Sequence, residues 1–394
     1  ERRIFMIDFD LPLNRRNTNT WKWDGEGKGA QFPMGTADMD FRMPEEIRAA
    51  IHEKVDQCIL SYACDKSYFG KAFAKYQKKR YGLDIKPEEV MPGTALMAVF
   101  KVILEAFTAA GDGVIVQTPV FGPIYTVTKN NGRMLFDNAL LYNREEGTWS
   151  INFEELEEMA KNPRVRMLVI CNPGNPCTRG FTKEEMQRMY DICNANDVIV
   201  LSDEIHSDVY YDGRKHVSIL SVCDAEKNNC VVLTSSGKVF GVPGLKTAAV
   251  VIQNKKLRDR YGIASTNARM DVVDLGLVAS TAGYEHCEGY ILELQQYLQK
   301  NKDYIVDWFA KNDIKVKLTK PEASYLFWLD FQDWKMNCQE LTDLLGEYGI
   351  VFSAGDEFGG DHNEGFMRMN IATRYEQVVG ALEQLKKCYE EKIK

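Results

Sequence analysis

The chain has 394 residues, 45% of them apolar, and its formal net charge is −8 with acidic and basic residues interspersed. This length and apolar content predict about two folded domains with large buried cores, which excludes a generally disordered protein. The sequence has no basic patch interleaved with aromatic residues and no apolar run near the about 18 residues of a membrane span, so we expect neither a nucleic-acid nor a membrane partner.

The ten cysteines and five histidines give no sign of disulfide or metal chemistry. No two cysteines form a C-x-x-C pair, and several lie in apolar segments, as Cys171 does, so we expect reduced, buried thiols. The histidines lack ligand spacing such as H-E-x-x-H, so we expect no metal. We see no secretory signal peptide and expect a cytoplasmic protein.

The first strong helical pattern is "PGTALMAVFKVILEAF" (92–107), an amphipathic helix opened by a Gly93-Thr94-Ala95 turn. Continuous apolar runs follow, and such runs are typical of strands buried on both faces of a sheet. The predicted strands are 113–119, 165–173, 197–204, 230–236 and 247–252.

A helix is predicted between the second and third of these strands. Thr182 and Glu185 form a capping box, and Met186 and Met189 recur on one face. The β-α-β order predicts a mostly parallel sheet covered by helices.

The last third of the chain has a different pattern, which predicts a smaller α+β domain. Its predicted elements are a long amphipathic helix (290–312), a strand (325–331), the helix "CQELTDLLGEYG", a short strand (365–371) and a final helix from about 375. The expected division is an N-terminal segment that packs with the small domain (1–50), a large domain (51–284) and the small domain (285–394).

Polar side chains follow three consecutive predicted strands. Asn175 lies in the Asn-Pro segment after one strand, Asp203 and then His206 follow the next, and Ser235 precedes Lys238 after the third. Ligand sites in open α/β sheets lie beyond the carboxyl ends of the strands, so we expect these residues at one rim. Singly, each has a structural explanation: a turn, a helix cap or a solvated loop lysine. Their occurrence on consecutive strands favours a site.

This set of residues suits an aldehyde cofactor held by a lysine. The amine of Lys238 can form a Schiff base and later act as a base at the substrate α-carbon. A buried Asp203 keeps a pyridine nitrogen protonated.

A phosphate handle on that cofactor needs hydroxyls, a helix N-terminus and a cation. Ser235, Ser236 and Lys246 supply hydroxyls and charge, and the turn at 93–95 opens a helix.

At these residues the chain resembles the fold-type-I pyridoxal-phosphate (PLP) enzymes, the class I/II aminotransferase superfamily, over nearly its whole length. The resemblance implies an α/β fold like that of aspartate aminotransferase, with a mostly parallel seven-stranded sheet between helices plus a smaller α+β domain. It also implies PLP as cofactor, a small amino-acid substrate, and a homodimer with shared active sites.

The resemblance also implies roles for single residues. Lys238 resembles the Schiff-base lysine, Asp203 the partner of the pyridine nitrogen, and Asn175 the donor to the ring 3′-oxygen. His206 stands where many members have a tyrosine near that oxygen. Phe121 resembles the ring that stacks on the cofactor.

Further residues resemble the phosphate and substrate contacts of the family. The phosphate-binding set is Gly93, Thr94, Ala95, Ser235 and Lys246. Arg368, in "GFMRMNIA", resembles the arginine that binds the substrate carboxylate. Tyr62 resembles a residue that reaches the phosphate across a dimer interface, and Tyr68 competes for that role.

Four segments narrow the resemblance to the MalY/PatB-type cystathionine β-lyases: 7–24, 36–44, 202–211 and 321–331. These carbon–sulfur (C–S) lyases act on cystathionine, cysteine or related conjugates, which implies α,β-elimination to a thiol, pyruvate and ammonia. The chain departs from the usual pattern in "NPCTRG", in Phe121 where tyrosine is common, and in Lys246 where many superfamily members have arginine. No catalytic group is lost.

Two alternatives stay open. An aminotransferase uses the same residues and differs in returning the proton to the cofactor's C4′ carbon, although the branch resemblance favours the lyase. A non-catalytic regulator on this fold can lose the lysine or the aspartate, and both are present here.

Overall fold

The fold is described from a computed structural model, which covers residues 7–360 and 362–394. In that part of the chain the helices are α1 (Glu45–Asp56), α2 (Ser67–Tyr81), α3 (Leu96–Phe107), α4 (Gly122–Asn130), α5 (Phe153–Ala160), α6 (Lys183–Ala195), α7 (Lys255–Asn267), α8 (Asp274–His286), α9 (Glu288–Lys311), α10 (Cys338–Glu347) and α11 (Tyr375–Lys392).

The strands of the same residues are β1 (Phe32–Pro33), β2 (Val90–Gly93), β3 (Gly113–Val116), β4 (Met134–Asp137), β5 (Leu141–Asn143), β6 (Thr148–Ser150), β7 (Val165–Cys171), β8 (Ile199–Asp203), β9 (Cys230–Thr234), β10 (Ala248–Val251), β11 (Lys317–Leu318), β12 (Leu326–Asp330), β13 (Ile350–Val351), β14 (Ser353–Ala354) and β15 (Phe366–Asn370).

A seven-stranded sheet in the order β2-β10-β9-β8-β7-β3-β4 forms the centre of the large domain. The strands from β9 to β4 are all parallel, and β10 is antiparallel to both of its neighbours. The predicted mostly parallel sheet and its five apolar strands are therefore confirmed.

Burial on both faces explains why these strands are continuous apolar runs. On β7, Leu168 and Ile170 join the hydrophobic cluster on one face, together with Met186 of α6. Met167 and Val169 point into the cluster on the opposite face. The helices on both sides leave the carboxyl ends of the parallel strands free to form a site.

The predicted capping box at the start of α6 is present. The Thr182 hydroxyl accepts a hydrogen bond from the amide of Glu185 at 3.2 Å, and the Glu185 carboxylate accepts one from the amide of Thr182 at 2.9 Å. Helix α6 therefore begins where the sequence predicts, and it buries Met186 and Met189.

An antiparallel four-stranded sheet in the order β11-β12-β15-β14 forms the smaller α+β layer. The described part of the N-terminal segment contacts this layer, since β1 pairs with β13 and the amide of Asp40 donates to the carbonyl of Ala372 at 2.9 Å. A boundary between 284 and 285 falls in the last turn of α8. The three-part division stays a prediction.

Among the residues described, every helix is too short or too polar to cross a membrane.

Candidate active site

A cavity of about 270 Å³ lies at the carboxyl ends of β7, β8 and β9, close to the lower limit of about 300 Å³ for small-molecule sites. Eight residues that the sequence singled out line it: Ala95, Phe121, Asn175, Asp203, His206, Ser235, Lys238 and Lys246. The residues predicted from the strand ends therefore lie around one cavity.

Lys238 follows β9 and projects into this cavity. Its Nζ donates a hydrogen bond to the carbonyl oxygen of Ala37 at 2.6 Å. Burial, and then the positive charge of Arg368, lower the pKa of Lys238 to about 8. About a tenth of the amine is therefore uncharged at pH 7, far more than for an ordinary lysine, and that form is the nucleophile and the base.

Asp203 ends β8 and is 4% exposed. It pairs in register with Cys171 on β7 and Leu233 on β9, which places it at the floor of the cavity. Its Oδ1 accepts a hydrogen bond from the amide of Ile205 at 3.1 Å. Burial raises the pKa of Asp203 to about 7, so a cationic ligand group beside it would be strongly favoured.

Arg368 comes from β15 of the smaller layer and is 5% exposed. Its Nη1 donates to Oδ1 of Asn175 at 3.0 Å, and its Nη2 donates to the carbonyl of Gly35 at 3.0 Å and to Oγ of Ser353 at 3.1 Å. Among the described residues its Nε has no hydrogen-bond partner. Burial lowers the pKa of Arg368 to about 10, so it stays cationic and suited to a carboxylate.

The hydrogen bond from Arg368 fixes the orientation of the side-chain amide of Asn175. Because its Oδ1 accepts from the guanidinium of Arg368, its amide nitrogen is the end available to donate into the cavity.

His206 is buried against the smaller layer. Its Nδ1 shares a hydrogen bond of 3.3 Å with the hydroxyl of Ser324, and its ring meets the edge of Tyr325 at 5.3 Å. Burial, with the charges of Lys238 and Arg368, holds the pKa of His206 well below its usual value. The imidazole is therefore neutral at physiological pH.

The start of helix α3 forms one end of the cavity. Ala95 precedes the helix, no side chain caps its first turn, and Leu96 and Met97 line the wall beside it. The first amides of such a helix are a natural anion site. Gly93 and Thr94 of the predicted phosphate set do not line the cavity.

Ser235 and Lys246 stand near the same end. The Ser235 hydroxyl donates to the carbonyl of Thr247 at 2.5 Å and accepts from the amide of Gly237 at 3.0 Å. It therefore also stabilises the turn that follows β9. Lys246 has a φ of 47° and an exposed side chain at the rim. Ser236 bonds Ser280 at 2.8 Å and does not line the cavity.

Tyr62 and Tyr68 lie outside the cavity of their own chain. Tyr62 is 96% exposed and borders a surface groove. The hydroxyl of Tyr68 donates to Asp274 at 3.3 Å. The predicted role of Tyr62 across a dimer interface stays a prediction.

Sequence reasoning missed the contributions of Gly35 and Ala37. Both act through backbone carbonyls. Every residue has one, so the residue type gives no signal. For Ala37 the available signal was the segment 36–44, which entered only through the family resemblance, and Gly35 lies just outside that segment.

The residues present fit PLP. The cavity offers an acid for a ring-nitrogen cation (Asp203), an aromatic wall (Phe121), an amine (Lys238), and a helix start beside Lys246 for a phosphate. In the described part of the chain, no three His, Cys, Asp or Glu side chains are placed to hold a metal ion.

Comparison with known proteins agrees with this reading. The family model "Aminotransferase class I and II" matches residues 31–385. Cystathionine beta-lyase PatB of Bacillus subtilis (strain 168) is 31% identical over 386 residues, which cover 96% of this chain and 99% of that protein.

Two solved structures share the fold over nearly the whole chain. Cystalysin from Treponema denticola, which contains a pyridoxal 5′-phosphate cofactor, has a TM-score of 0.93 and 28% identity, over 98% of this chain and 100% of its own. A PLP-bound putative aminotransferase from Clostridium difficile 630 has a TM-score of 0.92 and 28% identity, over 97% and 100%. The similarity therefore includes every element that lines the cavity.

Proposed function

The chain belongs to the aminotransferase class I and II family, and from this premise we propose that it is a PLP-dependent C–S β-lyase. It cleaves cystathionine or related cysteine-type substrates by α,β-elimination and releases a thiol, pyruvate and ammonia. The observation that carries the proposal is a cavity lined by the Lys238 amine and the Asp203 acid, with the buried Arg368 guanidinium bonded to the lining residue Asn175, in a chain similar over 96% of its length to a cystathionine β-lyase.

PLP, when bound, supplies a ring that withdraws electrons from the substrate α-carbon. Asp203 would hold the proton on the ring nitrogen, and Phe121 and Asn175 would contact the ring. The first amides of α3, with Ser235 and Lys246, would bind the phosphate.

Arg368 binds the substrate carboxylate and so orients the α-hydrogen toward Lys238. The Nζ of Lys238 accepts the α-proton. The Cβ–S bond breaks with its electron pair on sulfur, and Lys238 can return a proton to that sulfur. With one water consumed, the products are the thiol, pyruvate and ammonia.

An aminotransferase is the second candidate. The family itself and the similar Clostridium difficile structure, a putative aminotransferase, support it. It would use the same residues and differ in where the proton is returned.

Purified holoenzyme with L-cystathionine and no 2-oxo acid separates the two activities. We expect sustained release of pyruvate and homocysteine in equal amounts, and the Lys238→Ala variant should lose this turnover and the imine absorbance. At most one equivalent of product per subunit would instead identify the aminotransferase.

We further propose a cytoplasmic homodimer with shared active sites. Support comes from an exposed apolar surface around Tyr62, where Ile59 is 68%, Leu60 62% and Val273 60% exposed. These residues border the same groove.

A further inference from the structure

A short piece of backbone, residues 35–38, contacts the side chains of Lys238 and Arg368, and we call it the N-terminal loop. The carbonyl of Ala37 accepts from Nζ of Lys238 at 2.6 Å. Two residues earlier, the carbonyl of Gly35 accepts from Nη2 of Arg368 at 3.0 Å. The position of this loop therefore bears on the amine and on the carboxylate receptor together.

The loop is held from one side by four charged side chains, the ion cluster of Arg15, Lys22, Asp38 and Asp40. The side chain of Lys22 is 0% exposed, and its Nζ donates to Asp40 at 2.7 Å and to the carbonyl of Asp38 at 2.9 Å. Arg15 bridges Asp38 at 2.6 Å and Asp40 at 2.8 Å.

The ion cluster is charge-balanced, with two cations and two carboxylates. Burial acts to raise the pKa of Asp40, but Lys22, Trp23 and Arg15 outweigh it and lower that pKa. Asp40 therefore stays ionised. Removing one member would leave the ion cluster with one uncompensated charge, which is costly in a largely buried site.

From the other side, the loop is tied to the strand that carries Arg368. The side-chain amide of Asn370 donates to the carbonyls of Thr36 at 2.7 Å and Asp38 at 2.8 Å. The ion cluster and β15 therefore hold the loop between them.

Among residues 7–360 and 362–394, Lys238 supplies the one donor to the carbonyl of Ala37. With PLP held by Lys238, that nitrogen would no longer donate to Ala37, and the carbonyl would be free to accept from another ammonium group. The α-ammonium of an amino acid whose carboxylate is bound by Arg368 enters beside Lys238, the residue that it must displace.

We propose that the carbonyl of Ala37 binds the α-ammonium of the incoming substrate, and that the ion cluster positions it. Lys22 is thus a positioning residue, and the carbonyl of Ala37 is a binding group. The inference rests on the proposed function only in requiring an α-amino-acid substrate.

The test is the affinity of the Lys22→Met holoenzyme for two ligands. N,N-Dimethylglycine has an ammonium N–H and a carboxylate, but its tertiary nitrogen forms no imine with the cofactor, so its binding reports the ammonium contact itself. 3-Methylbutanoate has the same shape and lacks the ammonium. Both are measured by competition with L-alanine, whose binding changes the absorbance of the cofactor. We expect the variant to weaken N,N-dimethylglycine about tenfold or more, as for the loss of a charge-assisted hydrogen bond, and to weaken 3-methylbutanoate much less.

Two further variants complete this test. Lys22→Arg keeps the charge and should recover most of the affinity for N,N-dimethylglycine. Lys302→Met is the matched control, since Lys302 is 11% exposed and bonds Asp212 at 2.8 Å away from the loop. It should change neither affinity.

Equal weakening of both ligands by Lys22→Met would overturn the proposal, because the ion cluster would then act through Arg368 or the fold alone. If that variant fails to fold or to bind cofactor, Asp38→Asn takes its place with the same expected selectivity, and a lack of selectivity there also overturns the proposal. Because neither ligand reacts, a protein without lyase activity would leave this test intact.

Discussion

The two reactive side chains of the cavity are both shifted toward their uncharged forms. Burial lowers the pKa of Lys238 to about 8 and raises that of Asp203 to about 7. Such opposed shifts in one cleft are typical of functional sites. They mean that the cofactor-free cavity holds an amine ready to react and an acid that favours a cation beside it.

The raised pKa of Asp203 gives a pH prediction for the cofactor-free protein. The unfolded chain ionises Asp203 near 3.8, whereas the folded chain keeps the proton to about 7. The folded state therefore binds more protons in this window, and stability falls as pH rises from about 4 to about 7. Asp203→Asn should flatten this fall, as measured by urea unfolding at several pH values.

The matched control for that experiment is Asp307→Asn, whose side chain is 73% exposed. It should reproduce the wild-type pH dependence. A variant at 203 whose unfolding free energy parallels the wild type at every pH would contradict the burial argument.

At this scale, side chains at strand ends could be predicted and backbone contacts could not. Asn175, Asp203 and Lys238 follow apolar strands, so their meeting at one rim was foreseeable. The hydrogen bond from Lys238 to Ala37 joins residues that are 201 positions apart. Its acceptor is a backbone carbonyl, a group that every residue has. Only tertiary structure reveals it.

At the scale of elements, one short 3₁₀ helix contacts both the turn before α4, which carries the cavity residue Phe121, and the side chain of Arg368. It spans Gly355–Phe358, and the amide of Val120 in that turn donates to the carbonyl of Phe358 at 2.9 Å. The ring of Phe358 lies 4.7 Å from the guanidinium of Arg368. A shift of this element would therefore move the side chain that we propose as the receptor of the substrate carboxylate.

Gly122→Ala tests that coupling. A Cβ at this position would overlap the carbonyl oxygen of Glu357, so the 3₁₀ helix must move. Overpacking of this kind costs about 1–3 kcal/mol. We expect a lower unfolding free energy in urea and a several-fold weaker affinity for L-alanine, read from cofactor absorbance.

Gly262→Ala in α7 is the control, because nothing lies within 4 Å of its added Cβ. It should leave ligand affinity unchanged and raise stability by up to about 1 kcal/mol. Unaltered ligand affinity in the Gly122→Ala variant would show that the position of the 3₁₀ helix does not affect Arg368.

Periodicity predicted the elements better than their pairing. The apolar runs located β7, β8 and β9, and the capping box located the start of α6. The antiparallel direction of β10 was not predictable, because a strand buried on both faces reads the same in either direction.

At the scale of the whole molecule, the exposed groove around Tyr62 is the surface on which the proposed dimer depends. Tyr62 is 96% exposed in the single chain, which is unusual for a large aromatic side chain. A second copy would bury it and bring its hydroxyl toward a cavity it cannot reach in its own chain.

Mixing two inactive variants tests whether the sites are shared. If Tyr62 serves the partner's cavity, a dimer of one Lys238→Ala chain and one Tyr62→Ala chain contains one intact site. Random pairing would restore about a quarter of wild-type activity, since half of the dimers are mixed and each has one good site. Turnover of the mixture and sedimentation of the protein measure this.

The control pairs Lys238→Ala with Tyr68→Phe, since the hydroxyl of Tyr68 bonds Asp274 within the chain. The Tyr68→Phe variant should already be active before it is mixed with the Lys238→Ala variant. No recovery in the Tyr62 mixture, or a monomer in solution, would count against shared sites.

The bond from Gly35 to Arg368 joins parts of the chain that are 333 residues apart. On the ribosome, the early segment must wait until β15 has been made before its carbonyl meets the guanidinium. A nascent chain that stops short of Phe366 already contains every strand of the large sheet, yet it lacks Arg368, the side chain that we propose as the carboxylate receptor. With that role, recognition of an amino acid is among the last properties that the growing polypeptide acquires.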